Sequence, residues 1–494
     1  MSSADTTVAE PRADVRRLEN YVGGTWRSVE GEALTSRNPA TGEPLGEVPL
    51  SSADEVGLAV DAARAAQREW AETPILARTR AVFALRETLV AHKDEIAALV
   101  TRDMGKTIAD ATAEVGRGIE SVESACAMPH LMKGETLEQV ARGVDVEMVR
   151  QPVGVVAAIS PFNFPAMIPL WFLPFAVATG NTIVLKPSEQ DPLPTTRIIE
   201  LLDELDAFPP GVVNLVHGGR DAVNTLLTHP GVDAVSFVGS AAVARHVAET
   251  ATAHGKRVQA LGGAKNSMVC MPDADRDLLV NGLLGSAFGA AGQRCLAGSV
   301  AVLVGSEAQQ DETLEAIVAG ARELVTGDGA DADTDVCPLI SPAARERLES
   351  ALETAIGEGA EVVLDGRMGG GPSGSWLGPT IVDRVDPQSQ VATEELFGPL
   401  LSLIRVPDLD GALEFLNASR YGNAAVLFTA DGGTARTFRR EAQAGMLGVN
   451  VGVAAPVAWF PFAGWKDSFV GDLHANGFDA IDFYTRKKVV TGRW

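Results

Sequence analysis

One cysteine has the neighbours that a nucleophile needs. Cys295 follows Gly289-Ala290-Ala291-Gly292-Gln293-Arg294, between a helical stretch and an apolar run. Small residues there let backbone and substrate approach a thiol closely. The thiolate is the reactive form, and the adjacent Arg294 would favour it. A lone cysteine in a loop equally suits a structural role, and Cys126, Cys270 and Cys337 have no comparable setting. A second pattern is Pro161-Phe162-Asn163-Phe164-Pro165. Two prolines stiffen a short loop, and the Asn163 amide can donate to a developing oxyanion, worth about 2.7–4 kcal/mol of barrier. A turn-forming asparagine is the alternative reading. Third, Leu185-Lys186-Pro187-Ser188-Glu189 ends an apolar run. If that run is a strand of a doubly wound sheet, a carboxylate at Glu189 would accept from ribose hydroxyls and repel a 2′-phosphate, favouring NAD over NADP. Fourth, Phe237-Val238-Gly239-Ser240 opens a helical stretch, where pyrophosphate can meet free N–H groups.

Other patterns fail. Gly105-Lys106-Thr107 looks like a phosphate loop, but Val100 stands where its first glycine belongs. There is no G-x-S-x-G, and the seven histidines show no ligand spacing, so neither a serine hydrolase nor a metal site is expected.

The elements that must position these residues follow from hydrophobic rhythm. Residues 54–104 repeat helically, with Val82, Leu85, Leu89 and Ile96 on one face and Pro74 dividing two helices. From Val153, short apolar runs (153–159, 182–185, 212–216, 234–238) alternate with helical stretches (165–179, 195–206 and a last one ending at His254). That is the pattern of parallel strands with crossover helices. A second alternation starts near Met268, with strand-like pieces at 300–304, 400–406, 424–429 and 446–450. The expectation is therefore α/β, with two doubly wound lobes. Residues 138–150 and 477–494 alternate like exposed strands outside either lobe, which invites pairing with another subunit. Gly369–Gly374 reads as a surface turn.

The 494 residues carry 46% apolar and 21% charged residues and a net charge of −24, with mean hydropathy +0.09. A large core is available, and the acidic surface argues against nucleic acid and anionic membranes as partners. Residues 151–185 hold no charge, but five prolines interrupt them, so no membrane span is expected. Four scattered cysteines and no apolar signal core within residues 1–20 point to a cytoplasmic protein.

Taken in order over nearly the whole chain, these motifs resemble the aldehyde dehydrogenase superfamily. Pro210-Gly211-Val212-Val213-Asn214, Leu261-Gly262-Gly263 and Glu394-Glu395-Leu396-Phe397-Gly398-Pro399 complete the match. The resemblance implies a Rossmann-like cofactor lobe (1–137 and 152–264), a catalytic lobe (265–460) and a small β oligomerisation element (138–151 and 475–494). It implies that Cys295 attacks an aldehyde, that Asn163 helps to stabilise the resulting thiohemiacetal, and that NAD accepts hydride to leave a thioester. Ser160, Phe162, Lys186, Glu189, Gly239, Ser240, Glu395 and Phe397 would then hold NAD. A homo-oligomer, a dimer of dimers, is implied as well.

One departure is informative. Hydrolytic members place a glutamate before Leu-Gly-Gly to activate water; here that position is Ala260, and a methyl group cannot take a proton. A thiol such as coenzyme A ionises more readily than water and needs less help. The pattern resembles the CoA-acylating methylmalonate-semialdehyde dehydrogenases, as do Phe164–Trp171, Ala264-Lys265-Asn266 and the ending Phe483-Tyr484-Thr485-Arg486. Members of that group convert malonate or methylmalonate semialdehyde to acetyl-CoA or propionyl-CoA, with loss of the carboxylate. A guanidinium is the natural receptor for such a carboxylate, and Arg117 and Arg294 are the candidates. A surface ion pair for Arg117 and a loop brace for Arg294 are the alternatives. Trp459, Trp465 and Lys466 depart from the group near the expected pocket mouth. Two other functions stay open: a hydrolytic dehydrogenase giving a free acid, and a non-catalytic cofactor-binding protein.

Overall fold

A computed structural model describes residues 15–367 and 370–494. Residues 1–14, part of the segment searched for a signal, and Gly369, the first residue of the expected turn, lie outside the described residues. The rest of that turn, 370–374, is formed.

Two parallel sheets organise the chain. The first has five parallel strands in the order Val213–Leu215, Thr182–Lys186, Val155–Ile159, Ala234–Val238 and Arg257–Leu261. Antiparallel strands flank them: Asn20–Val22 and Thr25–Arg27 at one edge, Phe469–Val470 at the other. Helices cover both faces, so strands such as Val155–Ile159 and Ala234–Val238 are buried at every position, which is why they read as continuous apolar runs. The second sheet has seven strands, six of them parallel, with Asn266–Cys270 and Gly298–Val304 at its centre. The architecture is thus two α/β lobes with parallel sheets.

The N-terminal helices follow their local signals. Ala53–Glu72 starts at a capping box between Ser52 and Glu55. Pro74 precedes Ile75–Ala91, and Val82, Leu85, Leu89 and Ile96 are fully buried. Among the described residues, no helix is long and apolar enough to cross a membrane.

Glu135–Ala141, Val144–Pro152 and Thr485–Arg493 form a separate three-stranded antiparallel sheet. Every residue of Glu135–Ala141 is exposed. The C-terminal strand is shorter than expected, because Gly477–Tyr484 is a helix. Ala480, Ile481, Phe483 and Tyr484 are buried, a helical spacing rather than an alternating one. The Tyr484 hydroxyl lies 2.8 Å from Ser236 Oγ. Arg257 closes the end of that helix by donating to the carbonyls of Asp482, Phe483 and Thr485.

Candidate active site

Cys295 follows a strained turn. Ala290, Ala291 and Gly292 are consecutively left-handed, with φ of 49°, 51° and 67°, a conformation that costs alanine about 1–2 kcal/mol per residue. Three contacts hold it. Asp110 Oδ2 accepts from the Ala290 N–H at 3.0 Å, and the fully buried Gln293 accepts from Ile340 N–H at 3.0 Å. Gly292 lies so close to Gly398 that a Cβ would stand 2.3 Å from its carbonyl oxygen. Beyond the turn, the Cys295 carbonyl accepts from Asn266 Nδ2 at 2.9 Å and Asn423 Nδ2 at 2.8 Å.

The Cys295 side chain lines a mostly apolar cavity of about 160 Å³. Phe164, Met167, Trp171 and Phe462 wall it, and Arg117, Arg294 and Lys106 bring positive charge to it. Cys295 is half-buried, and desolvation pushes its thiol up to about 12. The Glu395 carboxyl raises it further, while Lys106 and Arg294 act in the other direction. The neighbouring arginine thus favours the thiolate, as the sequence suggests, but burial outweighs it.

Both arginines have partners. Arg117 Nη1 lies 2.6 Å from Glu120 Oε2, and its Nη2 donates to the Pro456 carbonyl. Arg294 Nη2 donates to the carbonyls of Gly285 and Ser286, the free end of helix Arg276–Phe288. That is the geometry of a brace, with the guanidinium still on the cavity wall.

The remaining carboxylates of the cavity are also committed. Glu114 pairs with Lys106 at 2.6 Å, and Asp110 holds Ala290. Asn163 is buried, but its neighbour Phe164, not Asn163 itself, lines the cavity. Trp459 and Trp465 are half-exposed and lie off the wall; Lys466 donates to the Asn417 and Ser419 carbonyls.

A second cleft, of about 680 Å³, lies beyond the carboxyl ends of the first sheet, where such sheets bind ligands. Ser160, Phe162, Lys186, Glu189, Gly239 and Ser240 all line it, as does Arg220. Lys186 Nζ is 2.7 Å from Glu189 Oε2. Ser240 caps helix Ala241–Ala253 without a side-chain hydrogen bond, leaving the N–H groups free for an anion. A Cβ at Gly239 would meet the Phe237 ring at 2.4 Å, so the backbone stays open to the cleft. These features fit a dinucleotide.

Glu395 and Phe397 line a small cavity beside the Cys295 turn, with Asn266, Gly292 and Arg294. Burial raises the Glu395 carboxyl to about 7, and its Oε1 accepts from Ala264 N–H at 2.9 Å. Phe397, at φ 60°, meets Phe162 edge-on at 5.7 Å, which links the Cys295 turn to the first-sheet cleft.

Ala260 packs with Phe237, Ala244 and Val247 on one side of the first sheet. Leu261, one residue on, joins the cluster that contains Leu296 and Phe462, against which Cys295 packs. Successive strand residues point to opposite faces, so Ala260 and Leu261 enter different clusters.

The sequence does not point to Lys106, Asp110 or Asn423 as site residues, and Asn266 enters only within the Ala264-Lys265-Asn266 motif. Lys106 carries a signal, the Gly-Lys-Thr triplet, which has no phosphate-loop partner at Val100. Among the described residues no cluster of potential ligands could hold a metal.

The Aldehyde dehydrogenase family model matches residues 26–490. The chain is 50% identical to malonate-semialdehyde dehydrogenase 2 of Geobacillus kaustophilus (strain HTA426), over 97% of this chain and 99% of that protein. It is 47% identical to the malonate-semialdehyde dehydrogenase of Halalkalibacterium halodurans, over 97% and 98%. The crystal structure of methylmalonate-semialdehyde dehydrogenase from Oceanimonas doudoroffii superposes with a TM-score of 0.95 at 43% identity, covering 97% of this chain and 99% of that one. A chain from Sinorhizobium meliloti 1021, solved in complex with NAD, has a TM-score of 0.95 at 41% identity, covering 98% and 99%. The chain belongs to the aldehyde dehydrogenase family.

Proposed function

We propose that the protein oxidises malonate or methylmalonate semialdehyde to acetyl-CoA or propionyl-CoA, using NAD and coenzyme A, with loss of the carboxylate. The observation that carries this is a cysteine in an apolar cavity with cationic groups on its wall and every wall carboxylate already partnered. Similarity to semialdehyde dehydrogenases over nearly the full chain supports it.

Cys295 Sγ attacks the aldehyde carbon, and the Asn163 amide donates to the developing oxyanion. Ser160, Phe162, Lys186, Glu189, Gly239 and Ser240 would hold NAD in the first-sheet cleft, with Glu395 and Phe397 toward Cys295, and the bound cofactor would supply the hydride acceptor. A thioester on Cys295 results. Arg117, with Arg294 beside it, holds the substrate carboxylate. Neither Ala260 nor Leu261 can activate water, so a thiol takes the acyl group. The NAD-binding lobe is assigned to 1–137 and 152–264 and the catalytic lobe to 265–460. The exposed three-stranded sheet is the oligomerisation element of a cytoplasmic dimer of dimers.

The test is turnover of both semialdehydes with NAD, with and without coenzyme A, followed by NADH absorbance and product mass. CoA-dependent release of acetyl-CoA or propionyl-CoA is expected. Steady release of a free acid without coenzyme A would overturn the acylating assignment.

A further inference from the structure

We propose that the buried Lys106–Glu114 pair is a positioning device for Asn163, pinning the loop 161–165 from the cavity wall. This rests on the reading of Asn163 as the oxyanion donor. The two side chains are 1% and 0% exposed and lie 2.6 Å apart. Charges taken that far from water need every remaining donor and acceptor satisfied, and here the partners are the residues that immediately follow Asn163.

Glu114 acts on the chain after the asparagine. Its Oε1 accepts from the N–H groups of Ala166 at 2.9 Å and Met167 at 3.1 Å. These open the helix Met167–Ala178, whose cap residue Ala166 has no side chain to offer. A carboxylate from another helix supplies the missing cap and complements the positive helix end. Lys106 acts on the residue next to the asparagine: its ammonium, 1% exposed, lies 3.6 Å from the centre of the Phe164 ring, a buried cation–π contact. Thr195 adds a third tie, its hydroxyl donating to the Pro165 carbonyl at 2.6 Å. Asn163 thus sits in a loop held at its next residue and at the helix start, while its own amide makes no hydrogen bond to another described residue. An oxyanion donor needs this arrangement, because it must be rigid in place and unspent.

The experiment measures first-turnover NADH formation and steady-state KM in the full-length enzyme for Asn163→Ala, Glu114→Gln and Lys106→Met, and for each of the latter two combined with Asn163→Ala. Asn163→Ala alone is expected to slow the first turnover about 10²- to 10³-fold. Glu114→Gln and Lys106→Met are each expected to slow it by up to about 10²-fold through misplacement of the amide, with the semialdehyde KM unmoved in Glu114→Gln and raised in Lys106→Met, which also removes a cation from the wall. In the Asn163→Ala background the same changes should cost no more than about twofold, since they act through a group already gone. Full additivity would overturn the positioning role alone. An Asn163→Ala enzyme with an unchanged first turnover would overturn the oxyanion reading, and this role with it. If a single variant fails to fold, Lys106→Met combined with Glu114→Gln leaves no buried charge unpaired and permits the same comparison.

Discussion

The amide of Asn266 donates to the carbonyl oxygen of Cys295 at 2.9 Å, tying the nucleophile's backbone to a central strand of the second sheet. Its second hydrogen goes to the Ala297 carbonyl at 2.9 Å, and its oxygen accepts from the Ala424 N–H at 3.0 Å. One side chain therefore joins the catalytic turn to two adjacent strands.

Asn266→Asp should be worse than Asn266→Ala. Alanine orphans buried backbone groups at about 1–3 kcal/mol each, whereas aspartate turns an anion toward two carbonyl oxygens. Urea denaturation midpoints and first-turnover rates should both fall in the order wild type, Ala, Asp. An Asp variant as stable and active as Ala would refute the clamp.

The cofactor-free thiol should be sluggish at neutral pH. With desolvation holding Cys295 up to about 12, the protonated form dominates below that value and the thiolate grows about tenfold per pH unit. Alkylation by iodoacetamide, followed by intact mass, should accelerate without a plateau from pH 7 to 10. A plateau below pH 9 would mean that a charge other than those around the thiol controls it.

Arg117 should separate charged from uncharged substrates. Losing one partner of a desolvated charge pair costs about 2–5 kcal/mol, so Arg117→Met should lower kcat/KM for malonate semialdehyde by roughly 30-fold or more. Propanal, which has no carboxylate, should be little affected. Arg117→Lys should resemble Met, because a single ammonium cannot serve Glu120, the Pro456 carbonyl and a substrate together. Equal losses on both aldehydes would show that Arg117 only supports the wall.

Much of this was legible because buried parallel strands announce themselves: Val155–Ile159 and Ala234–Val238 are apolar runs since helices cover both faces. The turn before Cys295 was visible in its small residues. The Lys106 pairing was not. Its contacts are Glu114, eight residues on, and the ring of Phe164, brought near only by packing of helix Ile108–Cys126 on Met167–Ala178. Arg294 shows a related limit: adjacency to Cys295 gives the right sign of its effect on the thiol, but not that its guanidinium also braces the helix end at Gly285 and Ser286. Local spacing shows which residue types are present, and tertiary contacts decide what their charges meet.

The same limit governs where a hydrolytic base can be restored. Motif position points to Ala260, but the strand turns that methyl into the cluster of Phe237, Ala244 and Val247, where a carboxylate would lie buried without a partner. Ala260→Glu should therefore cost stability and release no acid. Leu261 points to the other face, into the large cluster against which Cys295 also packs, so Leu261→Glu carries a carboxylate into that cluster. Turned over with NAD and no coenzyme A, Leu261→Glu should release free acid beyond one equivalent per active site, while the Ala260 variant should stop after the first turnover. Acid release from Ala260→Glu with Leu261→Glu silent would place the acyl group on the opposite face and overturn the geometry argued for the thioester.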